Sequence, residues 1–242
     1  MHAQPTQYPT PHPTQPTTHI SVILDRSGSM ETIRTDVIGG FNAFLARQQQ
    51  EPGQATLSLV QFDSQNPYEV LLHFVPLREG PPLSQERYVP RAMTPLLDAL
   101  GRGIADLDAT LSAMPAAQRP GQIVMVVVTD GLENASREFT HTRVRALLET
   151  HQAQGWRFVF LSADLAALDE AESIGFTAQR SMAFDPDRQG TDSMWDSVSQ
   201  STSDYRRGRS GDMSFRDEHR QRQRREQQRR QRPSAQPGQD VL

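Results

Sequence analysis

Asp25, Ser27 and Ser29 stand at i, i+2 and i+4 around Gly28, in the run DRSGS. Three short oxygen-bearing side chains at that spacing, on a loop that glycine lets bend, can turn toward one point. Thr94 precedes Pro95 at the head of an amphipathic stretch, and Asp130 precedes Gly131 after an apolar run. Together the five offer two carboxylates and three hydroxyls. An all-oxygen set suits a hard divalent cation, with Mg²⁺ first and Mn²⁺ or Ca²⁺ as alternatives. Taken singly, each Asp has a plainer explanation, an Asx turn or a cap on the next helix. The metal reading therefore rests on all five converging.

Other chemistries are poorly supplied. The chain has no cysteine, which excludes disulfides, thiolate nucleophiles and Cys-ligated metal. It has no lysine either, since all 25 basic residues are arginine, so a Walker-type lysine and a Schiff base are excluded. Of the histidines, only His141 follows a strand exit near Asp130. A Ser29–His141–Asp triad lacks the G-x-S-x-G elbow that would present the serine. Asp25 as a phosphoryl acceptor would want a second acid where Ser27 stands. The expectation is a binding protein, not an enzyme. Gly39-Gly40 lies in a helical stretch and is read as a close-packing site, not a phosphate loop.

The elements that must position the five residues alternate. His19–Leu24 reads as a buried strand that exits at Asp25. A helix is expected from Thr32 to Gln49, with Val37, Ile38, Phe41, Phe44 and Leu45 on its core face. Ala55–Phe62 and Tyr68–Leu77 are strands close enough in sequence to pair antiparallel, and Gln85–Met93 is irregular or a short helix. Pro95–Met114 is a long helix, Ile123–Val128 a strand, and Thr142–Gln154 a helix stopped by Gly155. Trp156–Leu161 is a strand, and Asp164 caps a helix over Leu165–Ile174. A last strand over Ala178–Phe184 and a last helix over Asp192–Tyr205 complete the set. Such alternation predicts an α/β fold with a mostly parallel six-stranded sheet, in which ligands bind beyond the carboxyl ends of the strands.

The run Asp25-Arg26-Ser27-Gly28-Ser29, the threonine in RAMTPLLDAL (Thr94) and the aspartate in VVVTDGLEN (Asp130) resemble the von Willebrand factor A family. Its metal-ion-dependent adhesion site follows the pattern DxSxS…T…D. The resemblance covers His19 to Tyr205 and implies a doubly wound, Rossmann-like sheet of order 3-2-1-4-5-6 with one antiparallel edge strand. It also implies roles. Ser27 and Ser29 would bind the cation directly, Asp25 would act through water and orient the serines, and Thr94 would bind directly in the liganded state. Asp130 would bind directly or through water, and one coordination place would await an Asp or Glu of a protein partner. Small prokaryotic members often work beside AAA-type ATPases or in stress-response complexes, so a stand-alone bacterial-type member is expected. Two departures stand out. Ala92 occupies a position that is often glycine, and Arg26 adds a positive charge beside the site, where it could pair with Glu31 or Glu133.

Charge divides the chain. Residues 1–204 carry 14 Arg against 24 acids, whereas 205–232 carry 11 Arg against 4. Residues 1–18 are rich in Pro, Thr and Gln and read as a disordered leader; 19–205 read as the folded domain, and 206–242 as a disordered Arg/Gln-rich tail. The tail could bind nucleic acid or an acidic partner, with the domain as scaffold. No apolar run is long enough to span a bilayer and the N-terminus lacks a secretory signal pattern, so a cytoplasmic protein without membrane attachment is expected.

Overall fold

The computed structural model describes residues 17–215, so the leader over 1–16 and the tail over 216–242 lie outside the described residues. Six strands form one sheet in the order β3-β2-β1-β4-β5-β6. They are β1 (Thr18–Asp25), β2 (Ala55–Asp63), β3 (Asn66–Pro76), β4 (Gln122–Thr129), β5 (Arg157–Ser162) and β6 (Ser181–Ala183). β1 runs parallel to β2 and β4, β4 to β5 and β5 to β6, while β3 alone is antiparallel, on β2. The order is the doubly wound one expected. β1 and β4 lie where it reverses, so the crevice at their carboxyl ends is the natural ligand position.

β1 and β4 are buried on both faces because both are covered. Ile20, Val22 and Leu24 of β1, with Val124, Val126 and Val128 of β4, face one core. Helices α1 (Arg34–Gln50) and α5 (Arg188–Arg206) close it through Phe41, Phe44, Trp195 and Val198. Ile23 of β1, with Met125 and Val127 of β4, faces the second core. That one is closed by α2 (Leu96–Ala113), α3 (His141–Ala153) and α4 (Leu165–Ser173). Parallel strands buried on two sides read as continuous hydrophobic runs for this reason.

Several boundaries differ from the sequence expectation. Gly28–Ile33 is a 3₁₀ segment, and α1 proper starts at Arg34 rather than Thr32. The strand expected over Ala178–Phe184 shortens to β6, because Ala178–Arg180 turns as a 3₁₀ helix and Arg180 reaches Asp212 at 2.8 Å. The last helix begins at Arg188 instead of Asp192, since Asp187 caps it by accepting from Gly190 N at 2.8 Å. Gln85–Met93 is irregular, without a regular helix. The packed body also continues past Tyr205 to Phe215: Met213 and Phe215 are buried against the first core, and Asp212 binds both Arg157 and Arg180. Burying two large apolar side chains outweighs the polar character of the intervening residues. Among the described residues no helix is long and apolar enough to cross a membrane.

Candidate metal centre

Asp25 closes β1 and is fully buried. Three neighbours fix it. Oδ1 accepts from Ser27 N at 2.6 Å, Oδ2 accepts from Thr129 Oγ1 at 2.5 Å, and its backbone oxygen accepts the Tyr88 hydroxyl at 2.6 Å. Thr129 sits beside Asp25 because β4 and β1 are in register, Leu24 opposite Val128. The bond to Ser27 N folds the chain back after the strand and turns the serines toward β4. Ser27 Oγ then lies 3.2 Å from Ser29 Oγ, and Ser29 Oγ donates to Asp130 Oδ1 at 2.6 Å.

Thr94 arrives from the head of α2. Its backbone is held at both ends by Asn134, which accepts from Thr94 N at 2.8 Å and donates to Thr94 O at 3.1 Å. A Cβ built on Gly131 would sit 3.6 Å from Thr94 Oγ1 and 3.8 Å from Ser29 Oγ, so both hydroxyls converge on the same glycine. Glu133 ties the loop to α2 by accepting from Leu97 N, Ala135 N and Ser136 N. Asp98 repeats the device by accepting from Arg137, Glu138 and Phe139 amides. The loop carrying Asp130, the segment carrying Thr94 and the head of α2 are thus one hydrogen-bonded unit. Asn134, Glu133, Thr129 and Tyr88 are not legible as site residues in the sequence. TDGLEN contains the first three, but nothing in it shows that Asn134 and Glu133 reach the head of α2 or that Thr129 meets Asp25, and Tyr88 lies in an aperiodic stretch.

Arg26 does not serve the site. Its guanidinium lies 2.5 Å from Asp63 and 2.7 Å from Glu69, not against Glu31 or Glu133. Asp63 and Glu69 come from β2 and β3, which the sheet brings alongside. Glu31 lies 3.6 Å from Arg34 instead. Ala92 carries the left-handed φ of +60° that glycine favours, and its carbonyl accepts from Gly28 N at 3.1 Å. His141 Nε2 lies 2.8 Å from Glu170 Oε1, while Ser29 is bonded to Asp130, so the alternative triad is not assembled.

The electrostatics favour a cation. Burial pushes the Asp25 carboxyl up to about 7; the Asp130 charge adds to the rise, while bonds from Thr129 and Ser27 oppose it. Burial also raises Asp130, with the Ser29 bond opposing. Neither carboxylate makes an ion pair among the described residues. No cluster of three or more His, Asp or Glu side chains gathers among them either, so hydroxyls must complete any donor set. Two adjacent carboxylates without an ion-pair partner among the described residues, since Arg26 is engaged by Asp63 and Glu69, fit a hard divalent ion when ringed by three hydroxyls.

No protein-family model and no curated protein sequence matches the chain. Solved structures do. The pilus adhesin SpaC of Lactobacillus rhamnosus GG superposes with a TM-score of 0.58 at 13% identity, over 78% of this chain and 30% of that one. A von Willebrand factor type A structure from Catenulispora acidiphila superposes with a TM-score of 0.52 at 13% identity, over 78% and 43%. The chain has the von Willebrand factor A fold. Proximal thread matrix protein 1 of the mussel byssus, with a zinc-occupied MIDAS motif, shares that fold at a TM-score of 0.54 and 14% identity, over 78% and 46%. This chain therefore spans between about a third and a half of the length of these von Willebrand A-fold proteins.

Proposed function

We propose that the chain is a divalent-cation-dependent protein-binding module. Ser27, Ser29 and Thr94 would hold the ion, Asp25 would orient the serines, and Asp130 would complete the set. The observation that carries this reading is the convergence of Ser27, Ser29 and Asp130 within hydrogen-bond reach around a buried, unneutralised Asp25. A bound cation would supply positive charge that few protein carboxylates cancel, and so would attract an Asp or Glu of a partner. Mg²⁺ in the cytoplasm is the ion proposed.

The surroundings support binding rather than turnover. Met93 and Leu132 adjoin the site and are 50% and 41% exposed. Large apolar side chains left open beside a charged centre suit a contact surface. Among the described residues no histidine is hydrogen-bonded to Ser29, whose hydroxyl donates to Asp130 instead.

Thermal unfolding in chelator and then in millimolar Mg²⁺ or Mn²⁺ tests the reading. An ion binding only the folded chain at 100 times its dissociation constant adds about 2.7 kcal/mol, a rise of several degrees. The rise should vanish in Ser29→Ala, whose side chain is exposed, and in Asp25→Asn. An equal rise in those variants, or none in the parent chain with either ion, would sink the proposal.

A further inference from the structure

A second cavity lies at the other end of the sheet. It opens beside Thr18 and Ala55, the first residues of β1 and β2, whereas the five-residue centre lies at their carboxyl ends. An eight-residue strand separates the two by about 25 Å. The cavity has a volume of about 780 Å³. Phe74, Leu77, Met114 and Pro120 give it apolar walls, and Arg78 and Arg206 also line it.

Arg206 is the unusual member. It is the last residue of α5 and only 4% exposed, yet it makes no ion pair among the described residues. Its Nη1 donates to the Gln48 backbone oxygen at 2.8 Å and to Gln48 Oε1 at 3.0 Å. Gln48 is itself pinned, since its Nε2 donates to Ser199 O and Ser203 Oγ. One edge of the guanidinium is therefore anchored in a set direction. Nε and Nη2, which form the other edge, have no hydrogen-bond partner among the described residues. Glu51 also lines the cavity and its charge acts on Arg206, but its carboxylate is hydrogen-bonded by Arg207 and not by the Arg206 fork. Arg78 is exposed and makes no ion pair among the described residues, and its charge acts on Arg206. Glu79 at the rim is exposed.

A buried guanidinium edge whose N–H groups meet no acceptor is costly to desolvate unless a ligand answers it. The Nε/Nη2 edge is a fork of two parallel N–H groups, the geometry that carboxylates accept side-on. We propose that this cavity binds a small organic carboxylate with an apolar body. The carboxylate would sit on the free edge of Arg206, with Arg78 adding attraction. The apolar body would lie against Phe74, Leu77 and Met114. The site is independent of the metal centre and needs no cation.

The test uses the full chain in EDTA, so that a carboxylate cannot be held by metal at the other end of the sheet. Benzoate and octanoate are the probes, and benzamide and octanamide are their neutral counterparts. At about ten times the dissociation constant, a carboxylate should raise Tm by roughly 3 °C, and saturation-transfer NMR should show the probe's apolar protons in contact. The amides should do neither. Arg206→Lys keeps the charge but loses the fork and should weaken binding at least tenfold. Arg78→Ala changes an exposed side chain, so folding is spared, and should weaken binding several-fold. Equal binding of the amides, no response to either carboxylate, or full affinity in both arginine variants would overturn the proposal.

Discussion

Ala92 takes a φ of +60° and points its carbonyl at Gly28 N, 3.1 Å away. A residue with a Cβ thus holds a left-handed turn directly against the loop that carries Ser27 and Ser29. The left-handed region costs an ordinary L-residue about 1 kcal/mol relative to glycine. Ala92→Gly should therefore relieve strain and gain up to about 1 kcal/mol, partly offset by the freer unfolded chain. Denaturant unfolding reads this directly. A loss greater than about 0.5 kcal/mol would show that the turn is not strained.

The proposed cation binding should depend on pH through Asp25. Burial holds its carboxyl at about 7 without a cation. A cation favours the ionised form, so below that value binding must release a proton. Mg²⁺ affinity should rise by up to tenfold per pH unit toward about pH 7 and level off above it. Calorimetry in buffers of different ionisation enthalpy would count close to one proton released near pH 6 and almost none near pH 8.5. Flat affinity across that range would contradict it.

His19 should carry part of the acid sensitivity. It is buried, its Nδ1 lies 2.8 Å from Thr56 Oγ1, its ring stacks on Phe74 at 3.8 Å, and Nε2 has no hydrogen-bond partner among the described residues. Burial, aided by the charge of His73, lowers its pKa to about 3. A depressed histidine contributes stability that is full above its unfolded value of about 6.5 and is lost as pH falls toward 3. Between pH 7 and pH 4.5 the loss from this group is on the order of 2 kcal/mol. His19→Gln can still bond Thr56 but cannot titrate there, so its stability should fall that much less over the same interval. Equal falls in the two proteins would rule the histidine out.

The paired glycines of α1 should behave oppositely. A Cβ on Gly40 would lie 2.0 Å from Trp195 Cδ1, whereas one on Gly39 meets nothing within 4 Å. Gly40→Ala should cost about 1–3 kcal/mol by forcing α1 away from α5. Gly39→Ala should gain up to about 1 kcal/mol from helix propensity. Paired thermal melts would decide it, and a stable Gly40→Ala protein would mean that Trp195 can move aside.

The periodicity of the chain determined the alternation of strands and helices, because a sheet covered on both faces demands runs such as the valine-rich β4 and one-sided helices such as α2. It also placed Asp25 and Asp130 at strand exits and showed Asp164 as a cap, since these are local matters of spacing and hydrogen bonding. Tertiary structure decided what depended on neighbours distant in sequence. Arg26 looked like a disturbance of the site until β2 and β3 supplied Asp63 and Glu69. Residues 206–215 looked like tail until Met213 and Phe215 met the core. Gln85–Met93 shows no periodicity, yet Tyr88 within it holds the backbone of Asp25. The fork of Arg206 became available only because Gln48 takes the other edge, some 158 positions away in the chain. In each case the deciding energy comes from a contact between segments that the sheet order brings together, and a linear pattern carries no record of that order.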